Sequence, residues 1–345
     1  MKKFDTIVYI GRFQPFHNGH KNTILHAATL AKQVIVIIGS ANEPRTFKNP
    51  FTVDERELMI SKSCLDSNNL LPDGAILTIK SIENSQYNDE AWAVSVQTIV
   101  DQNSVGDDIA IIGHNKDESS YYLQMFPQWP FINEQLVEPL DATQIRNIYF
   151  SNANNPNWFK GVLPEPVLKY LGLFAIGDAY EQICKERKFI EDYKKQYENL
   201  PYPPIFTTVD AVVIQAGHVL MVKRRAEPGK GLLAFPGGFV DARKDKSLED
   251  AMIRELKEET KIDVPEKVIR GSIEKMKVFD AIERSARGRT ITHAYYIYFN
   301  NGEYALPKVK GGDDAEKAFW IPISQVKRSE TFEDHFDILM HFLGR

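Results

Sequence analysis

Cysteine is scarce. The 345-residue chain holds only Cys64 and Cys184, which lie in unrelated stretches without metal-ligand spacing. That excludes a disulfide framework and points to a reduced, cytoplasmic protein. Long apolar runs are also missing. Apolar runs such as residues 34–38 and 211–214 have strand length and cannot span a bilayer, so no membrane partner is expected. Met1-Lys2-Lys3 is basic, but Asp5 and then Gly11-Arg12 cut the next run too short for a signal-peptide core, and no targeting segment is read. Nor is there an excess of positive charge. With 42 Lys and Arg against 47 Asp and Glu the formal net charge is -5, which argues against broad nucleic-acid binding and leaves anionic ligands to local basic clusters. No basic helix-turn-helix stretch is evident. The remainder, 43% hydrophobic and 26% charged, is an ordinary globular composition over a length that suggests about two domains.

Gly11-Arg12-Phe13-Gln14-Pro15-Phe16-His17-Asn18-Gly19-His20 follows a short β-branched run at 6–10 and precedes apolar residues at helical spacing over 22–31. It reads as a strand-to-helix turn, where backbone N–H groups and a helix dipole can meet an anion and Gly11 and Gly19 let a ligand approach. His17 and His20, three apart at the helix start, can face the same phosphate. Through about residue 150 strand candidates at 6–10, 34–39, 75–80, 109–113 and 129–132 alternate with helices, including 54–64 and 90–100. This pattern predicts a doubly wound parallel α/β sheet, Rossmann-like, whose ligands bind at the C-terminal strand ends. Gly11, Gly39 and Gly113 each end a strand at that edge.

The first stretch fits GxFxPxHxGH and resembles the nucleotide-binding motif of the nucleotidylyltransferase superfamily. Together with Gly39-Ser40-Ala41 and Asn49-Pro50-Phe51-Thr52-Val53-Asp54-Glu55-Arg56, it is similar to the archaeal-type nicotinamide mononucleotide (NMN) adenylyltransferases. The resemblance implies transfer of AMP from ATP to NMN, giving NAD⁺ and pyrophosphate, with Mg²⁺. Gly11, Arg12, Phe13 and Gly19 then belong to the nucleotide site. In the loop after the second strand, Arg45, Lys48 and Arg56 either neutralise triphosphate charge or form a solvated charged loop. By position Trp92 is a candidate to stack on the nicotinamide ring and Asn84 or Asn88 to serve its carboxamide, although a Trp buried on an amphipathic helix reads the same way. Lys116 and Asp117, in the polar segment after the fourth strand, are candidates for ATP contacts. Asp141-Ala142-Thr143-Gln144-Ile145-Arg146 resembles the second transferase motif, ISxTxxR, with Asp141 where Ser is usual, an acidic group that beside a polyphosphate either caps the helix or faces a metal. Thr143 is expected to cap a helix and Arg146 to fork onto the β- and γ-phosphates.

A long charged helix from 178 to about 200, with Tyr180, Ile183, Phe189, Ile190, Tyr193 and Tyr197 on one stripe, ends in Pro201-Tyr202-Pro203-Pro204. The expected division is a transferase domain at 1–178, a helical connector at 179–204 and a second domain at 205–345. The stripe leaves open packing within the chain or between copies in a homo-oligomer.

In the second domain, strands at 207–215 and 218–223 precede Phe235-Pro236-Gly237-Gly238 and a helix with Arg254-Glu255-Leu256-Lys257-Glu258-Glu259. Glu255, Glu258 and Glu259 share a face, a packing of like charge that a hard divalent cation would relieve. These residues resemble the Nudix box, which implies an α+β Nudix fold, hydrolysis of ADP-ribose to AMP and ribose 5-phosphate, Mg²⁺ or Mn²⁺ on the three glutamates, and Phe235, Gly237 and Gly238 in the site. Two positions depart from the box. The spacing from Gly238 to Arg254 is two residues longer, leaving the early Glu that orients the Arg with no sure counterpart among Asp245 and Lys246; and Lys261 stands where the box has Gly. Downstream, Gly311-Gly312-Asp313-Asp314-Ala315-Glu316 resembles a segment of Nudix enzymes acting on ADP-ribose. Glu316 is the candidate base, with Asp313 and Asp314 close behind. Arg284, Arg287 and Arg289 either grip ribose phosphates or keep a loop solvated. A binding-only ADP-ribose sensor and a transferase for nicotinic acid mononucleotide are the rival readings.

Overall fold

The computed structural model describes residues 2–66, 70–114, 122–134, 141–151, 155–300, 305–312 and 315–344. The chain divides into two compact units, Met1–Lys185 and Glu186–Arg345.

In the first unit the order is β1 Phe4–Gly11, α1 Asn18–Leu30, β2 Ala31–Ile38, α2 Val53–Cys64, β3 Ile76–Ser81, α3 Asp89–Asn103, β4 Ile109–Gly113, β5 Phe131–Asn133, α4 Ala142–Tyr149, α5 Glu165–Phe174 and the start of α6, Asp178–Lys195. The strands form a parallel sheet in the order β3-β2-β1-β4-β5. Side chains alternate across it. Ile7, Tyr9, Val34, Val36 and Ile38 pack against Ile24, Ala27 and Ala28 of α1 and Met59 and Ile60 of α2. Val8, Ile10, Ile35, Ile37 and Ile111 meet Ala93, Val96 and Val100 of α3 on the other face. A sheet covered on both faces explains the nearly unbroken apolar strands. The order reverses between β1 and β4, so the crevice at their C-terminal ends is where such a sheet takes a ligand.

Three details differ from the sequence expectation. α1 ends at Leu30 and begins at Asn18, a full turn before the apolar spacing at 22–31, with His17 as its cap. β5 starts at Phe131, since Trp129 turns inward to stack on Phe126 with ring centroids 4.9 Å apart. α6 ends at Lys195, about a turn short of its predicted end, and its stripe serves both units. Tyr180 and Ile183 bury in the first core, whereas Tyr193 meets Phe206 of the second unit at 5.9 Å.

The second unit runs β6 Phe206–Gln215, β7 His218–Arg224, β8 Leu233–Ala234, β9 Gly237–Phe239, α7 Leu248–Thr260, α8 Glu266–Gly271, β10 Ile273–Phe279, β11 Thr290–Tyr298, β12 Ala315–Pro322 and α9 His335–Phe342. Its sheet is mixed, in the order β10-β11-β6-β7-β12, with β8 beside β7 and β9 beside β6. β6 and β7 are joined at Ala216-Gly217, both at positive φ (47° and 73°), the turn that follows strand twist. α7 lays Ala251, Met252 and Leu256 on Val209, Ala211 and Val213 of β6. The opposite face of β6 carries Asp210, under which a buried polar network forms.

Candidate functional site

The turn between β1 and α1 is built from its own side chains. Phe13 takes a left-handed φ of 53° and folds its ring back over Gly11, where a Cβ would come within 2.8 Å of it. Gly11 is therefore required by packing as much as by ligand access. Gln14 pins the turn to the loop after β2 through two bonds to Phe51, donating from Nε2 to its O (2.8 Å) and accepting at Oε1 from its N (2.9 Å). His17 caps α1, and its N–H donates to Nδ1 of His20 at 3.3 Å. The two imidazoles stack at 3.6 Å between centroids, and His20 also meets Phe13 edge-on at 4.9 Å. Gly19 sits between them in the first turn of α1, where its carbonyl accepts from Thr23.

Arg146 of α4 reaches this turn across the domain, donating to the Gln14 carbonyl (2.7 Å) and to Thr143 Oγ1 (3.1 Å). It is 4% exposed, and its Nε has no hydrogen-bond partner among the described residues. Burial, with the neighbouring charge of Arg12, pushes its pKa down to about 10. A buried guanidinium bonded to a hydroxyl and to the Gln14 carbonyl, on the same turn that carries the two imidazoles, is an arrangement suited to phosphate.

Not every predicted cation faces that space. Arg56, 1% exposed, is consumed by main chain, with Nη1 on the Arg12 and Gly39 carbonyls (2.8 and 2.7 Å), Nη2 on Ser40 O (3.1 Å) and Nε on Thr52 O (3.1 Å). It staples the ends of β1 and β2. Arg45 is held in a bidentate pair with Glu55 at 2.7 Å. Lys48 is exposed on the same loop. The expected cap also changes: Asp141, not Thr143, caps α4, accepting from Gln144 N at 2.8 Å while the Gln144 side chain returns to Asp141 N at 2.9 Å. This capping box explains the acidic residue beside an anion site and frees Thr143 to orient Arg146. Asn84 is fixed between Ser40 (3.2 Å) and Glu43 (2.9 Å). Trp92 leans on Tyr122 and Phe126 at about 6 Å, at the edge of the α3 core. Asn88 is the N-cap of α3. Lys116 and Asp117 lie outside the described residues.

In the second unit the glycine pair allows close approach. A Cβ on Gly237 would meet Val209 O at 2.2 Å, and one on Gly238 would meet Glu255 Oε1 at 2.7 Å. The Gly237 N–H donates to Glu259 Oε2 at 3.0 Å. Arg254 organises the rest. Its Nε and Nη2 fork onto Asp245 at 2.8 Å each, and its Nη1 bridges Glu255 (2.8 Å) and Glu258 (3.0 Å). Asp245 thus stands where the early Glu of the Nudix box would orient the Arg, with one of the two extra residues before it and one after it. The arginine hydrogen bond, and a further one from Asp241 N, hold the Asp245 carboxyl below the usual range. Burial pushes Glu255 above its usual range against the pull of Arg254. Glu255, Glu258 and Glu259 sit at i, i+3 and i+4 of α7; Glu255 and Glu258 meet on Arg254, while Glu259 accepts from Gly237 beside the glycine that abuts Glu255. Among the described residues no three His, Cys, Asp or Glu side chains converge as metal ligands. The donors themselves, carboxylate oxygens with Glu255 penalised by burial, fit a hard divalent cation.

Other expectations shift with burial. Phe235 is 2% exposed and stacks on His335 at 4.9 Å, so it anchors the core. Arg284 forms a buried bidentate pair with Asp334 (2.8 and 2.9 Å), which leaves Arg287 and Arg289 of its loop nearer the surface. Glu316 is exposed on the bulge of β12, 3.5 Å from Lys223 Nζ, and Asp313 and Asp314 lie outside the described residues.

A cytidylyltransferase-like family model matches residues 8–148 and a NUDIX domain model matches residues 204–342. The nicotinamide/nicotinic acid mononucleotide adenylyltransferase of Acinetobacter baylyi is 37% identical over 187 residues, 53% of this chain and 93% of that protein. Across 99% of both chains, the crystal structure of a bifunctional NMN adenylyltransferase/ADP ribose pyrophosphatase from Francisella tularensis superposes with a TM-score of 0.87 at 33% identity. A second structure from that organism, complexed with AMP and Mn ion, gives 0.85 at 32% identity over 99% of both chains.

Proposed function

Because this chain belongs to the family of bifunctional NMN adenylyltransferase/ADP-ribose pyrophosphatases, we propose that each unit performs one of the two reactions at the residues described above. The first unit transfers AMP from ATP to NMN, giving NAD⁺ and pyrophosphate. The second hydrolyses ADP-ribose to AMP and ribose 5-phosphate. The pairing is chemically coherent, since breakdown of NAD⁺ yields ADP-ribose.

In the first unit no enzyme nucleophile is needed. The NMN phosphate attacks the α-phosphate of ATP in line, and the protein supplies position and charge neutralisation. His17 and His20 donate to the phosphates from the α1 N-terminus, Arg146 binds the β- and γ-oxygens, and Thr143 fixes the rotamer of Arg146. Gly11, Arg12, Phe13 and Gly19 shape the nucleotide cleft, with Lys48 at its rim; Asn84 and Trp92 receive the nicotinamide, and Lys116 and Asp117 are assigned to ATP. The observation that carries this reading is Arg146, a cation buried against the first motif whose Nε has no partner among the described residues.

Hydrolysis in the second unit depends on a divalent metal ion, for which we assign Mg²⁺ or Mn²⁺ held by Glu255, Glu258 and Glu259; it supplies charge neutralisation on the diphosphate and acidifies a water. Asp245 aims Arg254, which sets Glu255 and Glu258. Gly237 and Gly238 bring the β9 backbone onto the acidic helix, and Glu316 is assigned the proton of the attacking water.

Incubating the full chain with ATP, NMN and Mg²⁺ should release pyrophosphate and NAD⁺, and with ADP-ribose should release AMP. Running NMN against nicotinic acid mononucleotide fixes the acceptor. The bridge from Arg254 to Glu255 and Glu258 favours one second reading, a Nudix unit that binds ADP-ribose without cutting it. Bound ADP-ribose with no AMP release would establish that reading instead.

A further inference from the structure

Within the second unit, the end of α6, the proline break and the β10–β11 loop line an open cavity of about 310 Å³. That is the lower end of the range for small-molecule sites. Its walls include Tyr197, Pro203, Pro204 and Phe206, with Arg287 and Arg289 on one side. Lys194 and Glu198 also line it. Tyr197 and Phe206 meet edge to face at 5.1 Å. Phe206 can seat there because residue 288 is Gly, at φ +144°, where a Cβ would come within 3.3 Å of its ring.

The cavity adjoins the acidic helix. Phe206 packs edge-on against Phe239 at 5.7 Å. Phe239 directly follows Gly238, which lies against Glu255. The Arg287 guanidinium sits over Phe239 at 5.0 Å. Aromatic walls, flanking guanidinium groups and a path of two residues to the carboxylates suit a molecule with a flat base at one end and a diphosphate at the other.

The geometry points to this cavity as the base subsite of the hydrolytic unit: it takes the adenine of a nucleoside diphosphate while the diphosphate runs past Arg287 toward Glu255. This rests on the ADP-ribose reading of the second unit. It gives the connector, read in the sequence as a domain boundary or a packing surface, a part in substrate recognition. Stacking on Tyr197 and Phe206 supplies affinity for any purine, and Glu198 adds an acceptor for the exocyclic amino group of adenine.

The test compares the full-length wild type with Tyr197→Ala and Tyr197→Phe in ADP-ribose hydrolysis, with AMP and ribose 5-phosphate as product inhibitors. Tyr197→Ala should raise KM for ADP-ribose and the inhibition constant of AMP about tenfold or more. Its kcat and the inhibition constant of ribose 5-phosphate should stay within about twofold, and Tyr197→Phe should restore the wild-type values. Unchanged AMP inhibition overturns the assignment, as does an equal loss for AMP and ribose 5-phosphate with a lower melting temperature. A wild type that releases no AMP removes the hydrolytic reading alone. The cavity is then decided by calorimetric titration of ADP-ribose, where equal affinity in wild type and Tyr197→Ala rejects it.

Discussion

His335 shows how far a single buried group can deviate. Its ring lies on Phe235, its Nδ1 accepts from Phe235 N at 2.9 Å, and Asp210 stands 3.8 Å from its Nε2. Burial, reinforced by Arg284, Arg224 and Arg287 and opposed by Asp334, pushes its pKa down to about 3. An unfolded histidine titrates near ~6.5, so between those values the unfolded chain binds a proton that the native chain does not. The stability His335 confers is therefore present above that range and is lost as pH falls below ~6.5, at about 1.4 kcal/mol per pH unit. Urea denaturation of wild type and His335→Gln at pH 7 and 5.5 should show the wild-type advantage shrinking by about 1 kcal/mol. An advantage independent of pH would mean that the imidazole is solvated. None of this was legible in the sequence, where His335 is one polar residue in a charged stretch; its environment comes from β6, β8 and the β10–β11 loop together. Arg56 illustrates the reverse error. Its loop position suggested phosphate, but the strand ends around it present carbonyls that only a long multidentate donor can satisfy together.

Among the elements, strands and helices of the first unit were readable to within a few residues, because a sheet buried on both faces leaves continuous apolar runs separated by glycines. The ends were less readable. Asp141-Ala142-Thr143-Gln144 has the pattern of a capping box, yet the sequence left Asp141 between a cap and a metal-facing group and assigned the cap to Thr143 as well. The insertion in the Nudix loop hid Asp245 for a similar reason: its side chain reaches Arg254 from a shifted register that only the folded loop restores. The end of α7 offers a test. Lys261 carries φ 46°, a left-handed conformation that costs a residue with a Cβ about 1–2 kcal/mol, whereas glycine's extra unfolded-state entropy offsets about 0.5–1. Lys261→Gly should therefore stabilise the second unit by about 0.5–1 kcal/mol and raise its melting temperature by a few degrees. The lysine stem also lies over Gly312. A lower melting temperature in the variant would show that this packing outweighs the backbone strain.

For the whole molecule, two cores and two sets of polar groups imply two activities that fail separately. In the proposed assignment the first set manages phosphate with imidazoles and a buried guanidinium, the second with carboxylates. Glu259→Gln keeps an oxygen to accept from Gly237 N but removes the charge, so the fold should persist and ADP-ribose hydrolysis should fall by at least about 100-fold, with NAD⁺ synthesis unchanged. His20→Ala removes the acceptor for His17 N, a helix-cap loss of about 0.5–2 kcal/mol that a core of this size tolerates. It should lower kcat of NAD⁺ synthesis by about 100-fold or more with little change in KM for NMN, because the imidazole acts on charge that develops in transfer, and it should leave hydrolysis intact. Steady-state assays of both reactions on each variant provide the check. If either substitution lowered both rates together, the two sites would have to be working as one, and the assignment of one reaction to each unit would be wrong.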